Sequence, residues 1–314
     1  MKKVAIIGAG LAGLAAAKKL RRGGMDVTLF EKSRGFGGRM ATRRTGEYQF
    51  DHGAQYFSVR GPEFFVQVTR WQDQGHVAEW SPGNYVGSPA MTAPLRALAA
   101  KHKCITECLV TGLHKSASGW TLEDDRGPID VDGNGAFDAA ILAIPAPQAI
   151  PLAASAGIDM PELREVVYAP CIALMLAYPN ETARPKQDWI KPEDSAIAWI
   201  ACNATKPGRP RDAQTFVVHA RPDWSRRHLD SELQASQDAL LAHFRAITGI
   251  MSEPLYASVH RWRYALVEQE VGLPYLFDKT NLFGACGDWC LGARVESAFD
   301  SGCAIGDAML AALQ

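Results

Sequence analysis

Val4 to Ile7 is an unbroken apolar run of β-forming type, the pattern of a short strand buried on both faces. Leu11 to Arg22 follows with helix formers and sets Leu11, Leu14 and Ala15 on one face, while Gly23-Gly24 is placed to close that helix. Val27 to Glu31 reads as a second strand. The order strand, helix, strand predicts a βαβ unit with parallel strands and a right-handed crossover at the N-terminus.

Beyond this unit the order becomes irregular. Phe64 to Gln74 and Ala93 to His102 carry helical spacing, and Ile105 to His114 with Trp120 to Asp124 predicts a hairpin turning at Lys115 to Gly119. Phe137 to Ile144 predicts a strand stopped by Pro145 and Pro147. Ala169 to Tyr178, Ala196 to Cys202, Phe216 to Ala220 and Ala257 to Tyr264 also read as strands, with a surface loop over Pro185 to Pro192. Asp230 to Thr248 has the pattern of a long amphipathic helix, and Asn281 to Cys286 of a last strand before a terminal helix from about Val295 to Leu313. In that helix Ala298, Gly302, Ile305 and Met309 share a face that is small at its start, which suits close packing on a neighbour.

The 314 residues suffice for about two domains with cores that need no disulfide or metal. With 33 Lys+Arg against 34 Asp+Glu, and no block of like charge, the chain carries no electrostatic footprint for nucleic acid or an anionic membrane. Seven scattered cysteines lack any C-x-x-C pair or zinc spacing, so reduced thiols in a cytoplasmic protein without a metal site are expected. Lys2-Lys3 before the run Val4 to Ala17 imitates a secretory signal, but three regularly spaced glycines give that run another meaning. No later apolar segment reaches the roughly 20 residues that span a bilayer.

Those glycines form Gly8-Ala9-Gly10-Leu11-Ala12-Gly13, a G-x-G-x-x-G turn between strand and helix. Gly8 suits the tight turn, Gly10 admits a pyrophosphate to the backbone, and Gly13 lets helix and strand pack closely. Leu11 and Ala12 open the helix whose N-terminus faces the phosphates. Glu31 ends the second strand, where a carboxylate accepts hydrogen bonds from a ribose 2′-hydroxyl and repels a 2′-phosphate. An adenine dinucleotide without that phosphate is implied, and both NAD and FAD fit.

The next residues separate the two. Lys32-Ser33-Arg34-Gly35-Phe36-Gly37-Gly38-Arg39 resembles the second half of the extended motif of FAD-dependent amine oxidases, with Gly38 admitting the pyrophosphate and Arg39 neutralising it. With Asp51-His52-Gly53-Ala54-Gln55-Tyr56-Phe57, His260-Arg261-Trp262 and the stretch from Cys286 to Glu296, the chain resembles the bacterial renalases of the amine-oxidase superfamily. The resemblance departs at the brief Ser81 to Tyr85 segment, where the family has a longer insertion, at Ala90 and at Ser297.

The resemblance implies an α/β fold: a Rossmann-type FAD-binding domain of p-hydroxybenzoate-hydroxylase-like form and a mixed-sheet substrate domain. The order of elements divides the chain into a discontinuous FAD-binding domain, 1–57, 93–150 and 280–314, and a substrate domain, 58–92 and 151–279. The resemblance implies noncovalent FAD, with Lys32 in the cofactor set, Asp288 on the ribityl chain, Gln55 and Tyr56 bordering the flavin, and Val110 at the adenine. Val110 equally suits plain core. Val295 would start the terminal helix under the pyrimidine edge of the flavin, where the helix dipole favours negative charge.

The implied reaction is hydride transfer from aberrant dihydro isomers of NAD(P)H to the flavin N5, with reoxidation by dioxygen to hydrogen peroxide. A dihydropyridine needs no enzymic base, so no catalytic side chain is assigned. His260, Trp262 and Tyr264 alternate onto one strand face and, with Trp289, either stack a flat substrate ring or form an aromatic core. A flavin amine oxidase, a sensor without turnover, and an FAD-dependent desaturase or isomerase of the same superfamily, which calls for a more apolar tunnel or membrane-facing helix than this sequence shows, are the alternatives.

Overall fold

A computed structural model of the chain describes every residue except Asp132 and Asn134. Six strands form one twisted sheet in the order β17 (Leu276–Asp278), β18 (Phe283–Ala285), β11 (Ala139–Leu142), β1 (Lys3–Ile7), β2 (Asp26–Phe30) and β7 (Lys103–Ile105). All neighbours run parallel except β17 and β18, and the β1 to β2 register pairs Val4 with Val27 and Ile7 with Phe30. The uninterrupted apolar run of β1 has its cause in that position. Val4 and Ile6 pack against the layer containing helices α1 (Leu11–Arg22) and α7 (Val295–Leu313), while Ala5 and Ile7 face a second layer. That second layer holds the sheet β10 (Gly127–Pro128), β9 (Gly119–Asp124), β8 (Gly112–Ser116) and helix α4 (Ala146–Ser155).

The small face of α7 lies directly on α1. A Cβ at Gly302 would sit 2.1 Å from the Ala12 carbonyl oxygen, and one at Gly306 would sit 2.8 Å from Lys19 Cβ, so both glycines set the depth of the crossing. Helices α2 (Pro62–Asp73) and α3 (Ala93–Ala99) extend this layer, and two small hairpins, β3 (Arg43–Thr45) with β4 (Tyr48–Phe50) and β5 (Val77–Ser81) with β6 (Asn84–Gly87), border it.

The second large sheet is antiparallel, in the order β13 (Trp189–Ile190), β14 (Ile197–Cys202), β15 (Ala213–Ala220), β12 (Val167–Pro179) and β16 (Tyr256–Gln269). One face packs Ile172, Leu174, Leu176 and Val218 on Leu240 and Phe244 of helix α6 (Leu233–Thr248); the short helix α5 (Pro222–Arg227) adds Trp224. The other face turns toward residues 49–57 and carries the chemistry described below.

Several elements depart from the sequence pattern. The strand expected over Ile105 to His114 is two: β7 ends at Ile105, Glu107 takes a positive φ of 55°, and β8 begins in another sheet at Gly112. Within the loop expected over Pro185 to Pro192, Trp189 and Ile190 pair with Ala201 and Ile200. The strand expected over Phe137 to Ile144 is only Ala139–Leu142 and ends before Pro145; α4 starts directly after that proline, with Pro147 in its first turn, where a missing N–H costs nothing.

Candidate active site

The turn between β1 and α1 has the shape of a dinucleotide cradle. Gly8 has φ 104°, and a Cβ there would lie 2.5 Å from the Ala143 carbonyl oxygen; a Cβ at Gly13 would lie 2.1 Å from the Gly8 oxygen. Gly10 is different: its backbone is extended and nothing lies within 4 Å of the position its Cβ would take. Two glycines are therefore demanded by the fold, and the third guards open space at a helix N-terminus. Gly38, at φ 51°, has the Gly10 Cα as its nearest neighbour, at 3.8 Å from where its own Cβ would be. These residues fit a pyrophosphate.

Glu31 is buried at the end of β2, with Oε2 accepting from the Ala9 amide at 3.0 Å and Oε1 from the Ser33 amide at 2.9 Å. Each oxygen keeps a lone pair for a ribose hydroxyl. Glu31→Gln is expected to weaken adenine-dinucleotide uptake by roughly tenfold, because the acceptor loses its charge; equilibrium dialysis of the dinucleotide against both proteins measures this. Val110 is buried in the segment between β7 and β8, in the core group that holds Ile7, Phe30 and Cys108. Lys32 is exposed and reaches Gln148 at 3.5 Å.

Arg39 and Asp288 meet. The guanidinium donates to both carboxylate oxygens, at 2.7 and 2.6 Å, and sits 5.8 Å from the Tyr168 ring centroid. This bidentate pair joins the loop after β2 to the turn after β18, so the two expected cofactor motifs are brought to one place. Leu11 and Ala12 are buried under the cradle, and half-buried Val295 begins α7.

Facing this groove, register sets four residues in a row across the antiparallel sheet: Trp199 on β14 opposite His219, His219 opposite Ala173, and Ala173 opposite His260. Trp262, two residues on, shares the His260 side. His52 completes the group, its ring 4.9 Å from His260 and 5.0 Å from Trp262. Its carbonyl oxygen accepts from Trp262 Nε1 at 2.9 Å and contacts His219 Nε2 at 3.1 Å, which pins the 51–55 segment to the sheet. Tyr56 lies against Trp199, whose buried indole N–H has no partner among the described residues, nor does His52 Nδ1. Tyr264 lies farther along β16, against Tyr168.

Behind the wall is a fully buried charge cluster. Asp51 receives Arg209 on Oδ2 through Nη2 at 2.5 Å and Nε at 3.1 Å, with Lys206 Nζ at 3.4 Å. Thr42 and the Met91 amide donate to Oδ1 at 2.8 and 3.1 Å. Lys206 also donates to Gln55 Oε1 at 3.2 Å, and Gln55 Nε2 donates to the Asp51 and Gly53 carbonyls, so that amide is fully committed within the protein. Burial works to raise the Asp51 pKa, but Lys206 and then Arg209 overrule it and hold it at about 2. Burial, only partly offset by Asp51, brings Lys206 down to about 8. Burial brings His219 to about 4; for His52, burial and then His260 bring it to about 3. Burial and then Arg43 lower His260. The wall is lined by neutral imidazoles.

Trp289 does not join it. The side chain is fully buried, its Nε1 donates to the Ile144 carbonyl at 3.1 Å, and it packs in the core beside α4. This corrects the expectation that Trp289 stacks a substrate ring: it has no exposed face to offer. Lys206, Arg209, His219 and Trp199 were not singled out from sequence, and Asp51 and His52 entered only as members of the 51–57 motif, without a role of their own. For Asp51 a signal existed, a lone carboxylate closing the run Tyr48-Gln49-Phe50.

Residues 6–71 match the NAD(P)-binding Rossmann-like domain, and residues 68–310 match the family of flavin containing amine oxidoreductases. Over 59 residues the chain is 46% identical to a 1-hydroxycarotenoid 3,4-desaturase of Flavobacterium sp. (strain P99-3), which is 19% of this chain and 12% of that protein. The aligned part thus spans about an eighth of that relative. Among solved structures, a provisionally assigned protoporphyrinogen oxidase from Exiguobacterium sp. 255-15 superposes with TM-score 0.75 at 13% identity, covering 99% of both chains. Cyclohexylamine oxidase from Brevibacterium oxydans IH-35A gives 0.69 at 14%, again over 99% of both. At such identities the likeness is one of fold.

Proposed function

This chain belongs to the flavin containing amine oxidoreductase family and is a flavin-dependent oxidoreductase, and we propose that it is an oxidase of renalase type acting on dihydro isomers of NAD(P)H. Noncovalent FAD would lie with its pyrophosphate over Gly8, Gly10, Gly13, Gly38 and Arg39, its adenosine ribose at Glu31, and its ring toward Gln55, Tyr56 and Val295. When bound, the flavin supplies a hydride acceptor that returns its electrons to dioxygen, giving hydrogen peroxide. The seven free cysteines suit a cytoplasmic protein, and among the described residues no helix is long and apolar enough to cross a membrane.

One observation carries the substrate class: the wall of Trp199, His219, His260 and Trp262 is aromatic and neutral. A dihydronicotinamide is a flat ring that expels hydride by its own nitrogen lone pair, so it needs a stacking surface rather than a base. Among the described residues the only fully buried lysine, Lys206, is already held by Asp51 and Gln55. The chain's work is to orient the ring and exclude water.

Anaerobic rapid mixing of the flavin-loaded protein with 2- and 6-dihydro-NAD tests the reading. Bleaching of the flavin absorbance within seconds is expected, and an unbleached spectrum with both isomers refutes it. Trp262→Ala is expected to raise the half-saturating substrate concentration about tenfold, since an aromatic contact of this kind is worth roughly 0.5–1.5 kcal/mol beyond its buried area. The bleaching rate should show no inflection near pH 6.5, because His52 and His219 shed their protons well below the ordinary histidine value of about 6.5 and His260 is lowered too, by burial and then Arg43. An inflection near 6.5 would place a charged imidazole in the site.

Family membership and the Tyr56–Trp199 pair, ring centroids 5.6 Å apart, favour one second reading, an amine oxidase. Bleaching by a panel of primary amines and polyamines, with dihydro-NAD inert, would select it.

A further inference from the structure

Helices α1, α2 and α3 border a half-open cavity of about 760 Å³ on the side of the molecule where all three end. Lys18, Arg21 and Arg22 reach it from one face of α1, Arg70 from α2, and Lys101 from the turn after α3. Among the described residues no carboxylate lines it. The nearby Glu63 and Asp307 are engaged by Lys19, which lies outside the cavity. Among the described residues, Arg21, Arg22, Arg70 and Lys101 have no ion-pair partner. Lys18 donates to Gln67 and lies 5.7 Å from the Phe299 ring centroid, again without a carboxylate.

Helix dipoles account for part of this charge. A helix C-terminus carries about half a negative charge, so three of them offset about one and a half of the five cations. The remainder is surplus repulsion in a half-enclosed space, and it shows in the groups themselves: Lys18 is lowered by burial and then by Arg22. His102 is brought to about 4 by burial and then Arg21 and Lys101. Its Nδ1 is buried without a partner, leaving a neutral hydrogen-bonding group beside the cations. The volume falls in the range of small-molecule sites, about 300–1,000 Å³.

We propose that this cavity is a second ligand site, separate from the dinucleotide cradle, and that it binds a small polyphosphate-bearing anion of nucleotide size. Guanidinium groups from two helices grip phosphate oxygens in bidentate fashion, and the lysines add charge. Nothing in this rests on the substrate proposed above.

The test titrates the flavin-loaded protein with inorganic tripolyphosphate and with ATP in a calorimeter, following the flavin spectrum in parallel. Saturable binding that weakens steeply between 50 and 200 mM salt is expected, with the flavin spectrum retained. The double variant Arg22→Gln/Arg70→Gln, altered at two exposed side chains, should bind about a hundredfold more weakly, with unchanged unfolding and flavin content. Tighter binding of ATP than of tripolyphosphate would identify a nucleoside polyphosphate; equal binding would identify the phosphate chain as the whole ligand. Absence of heat, binding undiminished in the double variant, release of flavin by the anion, or adenosine binding as well as ATP would each overturn the proposal.

Discussion

Asp51→Asn should cost the folded protein about 3–5 kcal/mol, a large part of the 5–15 kcal/mol that holds a typical domain together. The substitution keeps the shape of the side chain and removes its charge. Arg209 and Lys206, both with fully buried side chains, would then share a low-dielectric space with no anion. Urea unfolding followed by tryptophan fluorescence measures the loss, and a deficit under 1 kcal/mol would mean that water reaches the cluster. Two pH signatures follow. In the wild type, Asp51 titrates near 2 when folded against its ordinary 3.8, so its contribution is fully present above 3.8 and disappears as pH falls through 2. Lys206 is lowered to about 8, so the unfolded chain binds the extra proton between there and 10.5, and stability should rise with pH across that window. In Asp51→Asn the same proton is easier to shed, and the deficit should shrink from pH 7 to pH 9.

The cluster also shows where sequence reading stops. Asp51 meets Lys206 and Arg209 across 155 and 158 residues of chain, and by hydropathy each of the three belongs on a surface. No local pattern announces that a lysine in a Thr-Lys-Pro-Gly turn has a fully buried side chain. By contrast β1, α1, β2 and Glu31 were legible because their causes are local: a buried strand writes a continuous apolar run, and a tight turn under a helix writes glycines at fixed spacing. The single strand expected over Ile105 to His114 misled because apolar periodicity continues through Cys108 and Val110 while the backbone leaves one sheet for another. Trp289 misled differently. It lies next to Asp288, whose side chain meets Arg39, but in the short 3-10 turn there its indole points into the α4 side of the core.

Gly10→Ala separates folding from cofactor uptake at one atom. Its backbone angles, φ −77° and ψ −177°, are open to any residue, and no atom lies within 4 Å of the added methyl. The apoprotein should therefore be as stable as wild type or more so by roughly 0.4–1 kcal/mol, since alanine reduces the freedom of the unfolded chain. Flavin affinity should nonetheless fall by at least about a hundredfold, because the methyl would stand where the proposed pyrophosphate position meets the helix N-terminus. Gly13→Ala is the contrasting case: its methyl meets the Gly8 oxygen at 2.1 Å, so stability and flavin uptake should fall together. Flavin absorbance of the purified variants and urea unfolding of their apo forms distinguish the two. A Gly10→Ala protein that purifies with a full complement of flavin would remove the pyrophosphate from this turn, and with it the placement of the redox ring before Trp262 and His260.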